Sequence, residues 1–283
     1  MSEVTARSPP DVAHSDPKGG PSHVSPLHAA RHEPDGGAHD PMPRSHTIVT
    51  HTYRAVVLLL GLSGLRLDRP RAGAIAAWFA LLIGAALVTA ENDPTLTVGC
   101  FIASWVFYYV GNTAVLGTRI RVAAIRRHGA QAAFERYEGL LGPMFAAQGL
   151  GLDVMASLDH PQWTLPLPEA LCIVGGATLV IVGTFVRLWA ALHIGLDSVY
   201  YRDLFVREPS GGDLGGPYRW LANPMYGLGQ LHAWGFALMS QSLLGLIAAA
   251  LCHATIYAFH FAVERPFVLS AYPRAERAVE LAR

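Results

Sequence analysis

The sequence predicts an all-α protein, a polytopic bundle of about six transmembrane helices that ends in a tight helical hairpin. The first observation is composition. Of the 283 residues, 52% are hydrophobic and only 15% are charged, whereas soluble domains carry roughly a quarter charged residues. The second is the recurrence of apolar runs near the length that crosses a bilayer. The third is the alternation of arginines between the runs. The formal net charge of +0 gives no sign of nucleic-acid binding.

The chain is expected to divide into regions of different composition. Residues 1–46 are rich in proline, glycine and histidine, with too few large apolar side chains to offset the entropy of ordering, so we expect a disordered tail. No apolar segment of the signal-peptide type follows Met1, so no secretory signal is expected. The other expected regions are an interfacial segment 47–71, N-terminal transmembrane helices 72–168, a C-terminal helical region 169–272 and a cytoplasmic tail 273–283.

Six apolar runs are candidate spans, and the last two abut at "MSQSLL". They cover about 72–90, 95–117, 139–158, 169–192, 225–241 and 242–263. The run "AVVLLLGLSGL" (55–65) is too short to cross alone; it lies in the interface, or crosses if extended back to Ile48. Residues 119–138, with several arginines, are expected to form an amphipathic helix on the anionic leaflet. The three cysteines lie far apart inside apolar runs, which indicates buried reduced thiols.

Arginine placement predicts the orientation. Arginines occur before the first run, between the second and third, between the fourth and fifth, and after the sixth, and the three other connections have none. By the positive-inside rule, both chain ends and the loop before residue 225 face the cytoplasm. The protein is therefore expected in the inner (cytoplasmic) membrane.

Three polar segments are predicted to meet at this cytoplasmic edge. They are "LHIGLDSVYYRDLF" (192–205), "GGPYRWLANPMYGLG" (215–229) and "VERPF" (263–267). About 60 Å of helix separates Pro224 from Glu264, which is two membrane thicknesses. A hairpin therefore returns Glu264 to the level of the asparagine–proline turn, and the proline two residues later is expected to end the helix. Spacing of four residues is expected to place His193, Asp197 and Tyr201 on one helical face.

The segment "GPYRWLANPMYGLG", followed some 40 residues later by "VERPF", resembles the C-terminal signature of integral-membrane methyltransferases, over roughly 175–272. This family comprises the phosphatidylethanolamine N-methyltransferases and the isoprenylcysteine carboxyl methyltransferases. "NPMY" and a glutamate shortly before Pro-Phe are closer to the phospholipid branch. The family usually has two adjacent acids where this chain has Glu264 and Arg265. The phospholipid branch has a Gly-x-Gly element where this chain offers only Gly195.

The resemblance implies an enzyme that transfers methyl groups from S-adenosyl-L-methionine to a membrane phospholipid that enters laterally. The amine of phosphatidylethanolamine, or its partly methylated forms, is the expected acceptor. The candidate catalytic residues are Glu264, His260 and His232. The candidate cofactor-binding residues are Tyr218, Arg219, Asn223, Pro224, Tyr226, Gly227, Glu264, Arg265, Gly195 and Asp197. The candidate substrate-binding residues are His193, Tyr201, Arg202 and Trp220. No metal is expected, and the oligomeric state is left open.

The chemistry explains why these residue types are candidates. Glu264 offers an anion to the ammonium or sulfonium, and a guanidinium, Arg219 or alternatively Arg265, fits the donor carboxylate. Aromatic rings contact adenine or the sulfonium methyls. A protonated acceptor amine needs a base, for which His232, His260 and Glu264 are the candidates.

Simpler roles remain open for the same residues. Arg202 and Arg219 also suit interfacial anchors, Tyr218, Trp220 and Tyr226 an aromatic belt, and His260–Glu264 a structural contact. The alternative functions are carboxyl methylation of an isoprenoid-type lipid, an NADPH-dependent sterol-reductase-like enzyme and a non-catalytic membrane protein.

Overall fold

A computed structural model describes residues 44–208 and 215–271, with side chains from 52 to 208 and from 215 to 270. Within these ranges every regular element is helical, apart from one isolated β-bridge between Thr164 and Ser242. The all-α prediction is confirmed. The predicted tail up to residue 43 and the predicted C-terminal tail 273–283 lie outside the described residues.

The described part of the chain contains eleven α-helices and two short π-helical segments. The α-helices are α1 Arg44–Leu62, α2 Ala72–Glu91, α3 Pro94–Trp105, α4 Gly111–Gly117, α5 Arg119–His128, α6 Ala130–Ala156, α7 Glu169–Val199, α8 Arg202–Val206, α9 Leu231–Met239, α10 Leu243–Phe259 and α11 Arg265–Ala271. The π segments are Val106–Val110 and His260–Glu264.

Among residues 44–208 and 215–271, four helical stretches are long and apolar enough to cross a membrane. They are Ala72–Glu91, Pro94–Gly117, Glu169–Val206 and Leu243–Ser270, and they correspond to the first, second, fourth and sixth predicted runs. Helix α6 contains the third run, and it packs against α2, α3 and α10 with Leu141 and Met144 fully buried. The chain is therefore an integral membrane protein with α6 inside the bundle.

Connections that carry no arginine meet at one end of the bundle. The Asn92 side chain donates to the Asp159 carbonyl and accepts from the Asp159 N–H. The Leu165 N–H donates to the Gln241 carbonyl at 2.7 Å. The three loops without arginine are thus neighbours, which is the grouping that the alternation of charge predicts.

The fifth predicted run, 225–241, is not a full-length helix. Residues 225–230 form turns and a single 3-10 turn, and α9 has nine residues, about 14 Å of helix. The first residues of the predicted span belong instead to the turn that begins at the polar Asn223. Helix α9 packs closely on α7. A Cβ added to Gly183 would lie only 2.4 Å from the backbone nitrogen of His232. Small residues permit such contacts between membrane helices.

Pro266 does not end the final helix, contrary to prediction. The chain continues through the π segment His260–Glu264 into α11. A π turn shifts the hydrogen-bond register by one residue, so one backbone carbonyl has no N–H partner in the helix. Pro266, which has no N–H to donate, is accommodated at this point. The carboxylate of Glu264 consequently projects from a continuous helix.

Residues 119–138 do not form one amphipathic helix. Gly129 adopts φ 80° and separates α5 from α6; this conformation is open to glycine and costly for other residues. Glu138, the last residue of the predicted amphipathic segment, is only 4% exposed and lies in the packed part of α6.

The segment before residue 72 packs into the bundle. Helix α1 begins at Arg44, and the Tyr200 hydroxyl donates to the Gly61 carbonyl at 2.8 Å. Gly64 adopts φ 94° beside α6, where a Cβ would lie 2.1 Å from the Gly142 carbonyl oxygen. Two backbones touch here, so only glycine fits at position 64.

Candidate active site

The three polar segments meet at one place. Tyr201 follows α7, Tyr226 lies in the asparagine–proline turn, and Glu264 ends the second π segment. The Tyr226 hydroxyl donates to Glu264 Oε1 at 2.7 Å and lies 3.2 Å from the Tyr201 hydroxyl. The predicted convergence of these segments is confirmed, although they are far apart in sequence.

The asparagine–proline turn is held by its own side chain. Asn223 Oδ1 accepts from the Tyr226 N–H at 3.1 Å, and the Gly227 N–H donates to the Asn223 carbonyl. Such side-chain-to-backbone bonds are why asparagine favours turns. Pro224 is fully buried. The turn is therefore a fixed platform that orients Tyr226 towards Glu264.

His260 and Glu264 form a pair. His260 Nδ1 lies 2.8 Å from Glu264 Oε2, with side chains 21% and 16% exposed. Because a carboxylate can only accept, Nδ1 carries the hydrogen in this geometry. The Asn223 amide nitrogen, 3.4 Å from the same Nδ1, makes a longer contact.

Tyr108 belongs to this network, and the sequence analysis missed it. It lies in the first π segment, and its buried hydroxyl is 3.1 Å from the Tyr201 hydroxyl. Since the Tyr226 hydroxyl donates its hydrogen bond to Glu264, the consistent direction of donation is Tyr108 to Tyr201 to Tyr226 to Glu264. Both ends of this hydrogen-bond series, Tyr108 and Glu264, lie in π segments, which occur frequently at functional sites. The available signal was the pair of tyrosines within the apolar "VFYYV".

Tyr218, in the loop before the asparagine–proline turn, is close enough to Glu264 to be affected by its charge. Burial, with the negative charge of Glu264 adding to it, raises the pKa of the Tyr218 phenol well above its usual value. The phenol is therefore a neutral hydrogen-bonding group at physiological pH.

His193, Asp197 and Tyr201 do not share a helical face, so this prediction is wrong. Gly195 adopts φ 79° and ψ 159° and kinks α7, and Tyr201 adopts φ 59°. Spacing of four residues has no meaning across these breaks. Nothing lies within 4 Å of a Cβ built on Gly195, so its backbone borders open space.

Several other candidates lie outside the tyrosine–glutamate network. Asp197 pairs with Arg66 and Arg69, each at 3.0 Å. His232 Nδ1 lies 2.6 Å from the Gly229 carbonyl, and its Nε2 lies 3.3 Å from Arg187. Neither side chain contacts Glu264 in the described part of the chain.

The remaining candidates surround the network more loosely. His193 Nδ1 bonds the Trp189 carbonyl, and its ring packs so closely on Gly216 that a Cβ there would lie 2.5 Å away. Trp220 is 73% exposed. The following candidates are half-buried or exposed: Arg202, Arg219, Gly227 and Arg265. Arg265 lies over the Phe261 ring.

A separate cluster of arginines and carboxylates lies where α1, α6 and α7 meet. Arg66 pairs with Glu138 at 2.9 Å, with Asp68, and with Asp197, while Arg71 donates to Glu138 at 3.0 Å. Burial raises the pKa of the Asp68 carboxyl, but the bonds and charge of Arg66 outweigh it and the pKa falls below its usual value. Sequence reasoning missed this cluster, because its members are scattered over three segments.

The carboxylate, the imidazole and the hydrogen-bonded phenols form a cluster between membrane helices. These are the side-chain types of an enzyme active site. Residues 171–275 match the phospholipid methyltransferase family. This is the region in which the sequence resembles integral-membrane methyltransferases, and that resemblance is confirmed. The match contains Tyr201, Asn223, Tyr226, His260 and Glu264; Tyr108 lies outside it.

Individual relatives agree with this assignment. The chain is 28% identical over 125 residues to a phosphatidylethanolamine N-methyltransferase of Candida tropicalis, covering 44% of this chain and 14% of the relative. It is 26% identical over 118 residues to phosphatidylethanolamine N-methyltransferase B of Dictyostelium discoideum, covering 42% and 59%. It is 31% identical over 115 residues to the Clavispora lusitaniae enzyme, covering 40% and 13%. The chain thus spans less than two thirds of these relatives, and no solved structure matches it significantly.

Proposed function

We propose that the protein is an S-adenosylmethionine-dependent methyltransferase that acts on the amine of phosphatidylethanolamine or its partly methylated forms. The match to the phospholipid methyltransferase family and the similarity to two phosphatidylethanolamine N-methyltransferases support this reaction. The observation that carries it is the contact between Tyr226 and Glu264. This contact brings together the asparagine–proline turn and the glutamate, the two parts of the signature that would have to meet to form a donor site.

The residues present fit the donor. Glu264 supplies a partly exposed carboxylate for the ammonium or sulfonium of S-adenosylmethionine. The exposed guanidinium of Arg219 suits the carboxylate of the same donor molecule. Tyr218 and Tyr226 offer rings to adenine, and the open backbone at Gly195 allows close approach of a ligand. When bound, S-adenosylmethionine supplies an electrophilic methyl group.

The residues also account for proton transfer. A protonated amine has no lone pair for attack, so its proton must leave before the nitrogen bonds to the methyl carbon. In this step the imidazole of His260 is neutral with its hydrogen on Nδ1, so Nε2 is the atom that accepts the proton, and Glu264 stabilises the resulting imidazolium through Nδ1. Tyr226 then holds the other carboxylate oxygen, so the glutamate keeps its orientation.

The proposal includes the location. The arginine-bearing connections are expected on the cytoplasmic side, and Arg66 and Asp197 tie two of them together. We place the site at the inner leaflet of the cytoplasmic membrane, where a soluble donor meets a lipid acceptor.

The test is incorporation of labelled methyl from S-adenosylmethionine into lipid by membranes that contain the full chain. Wild type should label phosphatidylethanolamine derivatives, and Glu264→Gln should lower the rate about a hundredfold or more. Glu169→Gln is the matched control, since Glu169 is exposed in the first turn of α7. Equal labelling by Glu264→Gln and wild type would rule out the assigned role.

A further inference from the structure

A cavity of about 290 Å³ lies among α1, α2, α6, α7 and α9. Its volume is about ten times the share of one liquid water molecule. One part of the wall is apolar and is formed by Leu59, Leu62, Trp78, Phe145 and Leu150. The other part is polar and is formed by Ser63, Gln148, Asp153, Thr184, Arg187 and His232. The cavity therefore combines an apolar side with a charged side, and it opens to the surface at the exposed Ser63 and Asp153.

The two charged groups of the wall lack ionic partners. Within the described ranges no ion pair is found for Arg187 or Asp153, and the Asp153 side chain stays accessible. Arg187 contacts His232 Nε2 at 3.3 Å. His232 Nδ1 donates to the Gly229 carbonyl, so Nε2 accepts from the guanidinium and the imidazole is neutral. A charged side chain without an ionic partner between membrane helices is costly, which applies to the half-buried Arg187, and such a group generally marks a functional site.

The cavity shares a wall with the candidate active site. A Cβ on Gly229 would lie 3.6 Å from the Arg187 Cβ, and the Gly229 N–H bonds the Pro224 carbonyl of the asparagine–proline turn. On the other side, the Phe145 ring lines the cavity and packs against Tyr201 with ring centroids 6.4 Å apart. A molecule in the cavity would thus lie directly behind the network that contains Glu264.

We infer that this cavity binds the head group of a zwitterionic phospholipid that carries an ammonium group. Arg187 contacts the phosphodiester and Asp153 contacts the ammonium of a lipid held in the cavity, a position separate from the one in which the amine meets His260. One cation and one anion of the protein thus meet the opposite charges of a single head group. A guanidinium matches phosphate oxygens well, and the apolar wall accommodates the first acyl carbons. The inference rests on the proposed function for the choice of phosphatidylethanolamine as the lipid, but not for the binding itself.

Binding is tested without the methyl donor, so the outcome is separate from catalysis. The full chain in detergent is titrated with short-chain phosphatidylethanolamine and, separately, short-chain phosphatidylglycerol, which has no ammonium. Arg187→Gln should weaken both interactions about tenfold, because a charge-assisted hydrogen bond is lost. Asp153→Asn should weaken the phosphatidylethanolamine interaction by a similar factor and leave phosphatidylglycerol unchanged. The matched controls are Arg126→Gln and Asp159→Asn, both at exposed positions.

Two further variants keep the test decisive. Leu150→Trp fills the cavity without altering a charge and should abolish binding, which covers the case in which Arg187→Gln fails to fold. Glu264→Gln should lose labelled-methyl transfer and retain lipid binding, which separates this inference from the proposed function. Wild-type affinity in folded Asp153→Asn and Leu150→Trp proteins, as judged by thermal melting, would overturn the assignment.

Discussion

Two glutamates of this protein, Glu138 and Glu264, have contrasting surroundings. The Glu138 side chain is 3% exposed and is held by Arg66 and Arg71. The Glu264 side chain is 16% exposed and, among the residues that the structure describes, is held by a phenol and an imidazole. A carboxylate whose charge is neutralised by two guanidinium groups joins helices, whereas one held by a phenol and an imidazole keeps its charge available to a ligand. Of the two, Glu264 is the carboxylate that is available for chemistry.

The largest effect is expected from His260→Gln. The variant loses the acceptor for the amine proton, so the rate of methyl transfer at neutral pH should fall about a thousandfold. The rate should recover as the pH rises towards the pKa of the lipid amine, because the substrate then deprotonates without help. A pH–rate profile of labelled-methyl transfer measures this. A loss that is constant across pH would mean that His260 only positions Glu264.

Glu138→Gln should act on stability. The change removes a buried anion and leaves Arg66 and Arg71 under-neutralised, so the free energy of unfolding should fall by about 3 kcal/mol. Methyl transfer per folded molecule should stay close to wild type. Thermal melting in detergent and active-protein titration check the two parts. Glu135→Gln, at an exposed position of α6, is the control; a catalytic loss in Glu138→Gln without loss of stability would contradict the contrast.

A smaller effect is expected from Tyr108→Phe. The hydroxyl donates to Tyr201 from outside the family-matched region, and its loss should cost about 1 kcal/mol, or roughly a fivefold decrease in kcat with little change in KM. Tyr53→Phe, at an exposed position of α1, is the control. An unchanged kcat would mean that the chain of phenols contributes nothing beyond Tyr226.

Much of this arrangement could be predicted from particular sequence patterns. The apolar runs predicted the long helices, and Asp93 followed by Pro94 begins α3 as an N-cap should. The hairpin tip at Ser242, whose side chain caps α10, also matches prediction. The length between Pro224 and Glu264 predicted that the turn and the acid would meet.

The rest depends on contacts that local patterns do not encode. The kink at Gly195 follows from a positive φ that no periodicity reveals, and it redirects Asp197 towards Arg66. Pro266 is accommodated by a π segment whose register change is a property of the folded helix. Arg66 and Glu138 are far apart in sequence, so only the packing of α6 against the α1–α2 connection brings them together.

The most direct test of the account is ligand-dependent thermal stabilisation of wild type, Glu138→Gln and Glu264→Gln in detergent. S-adenosylmethionine should raise the melting temperature of wild type and of Glu138→Gln by similar increments, and NADPH should raise neither. Glu264→Gln should lose most of that increment while melting near the wild-type temperature without ligand. An equal increment in Glu264→Gln, or none in wild type, would contradict the claim that Glu264 forms the donor site.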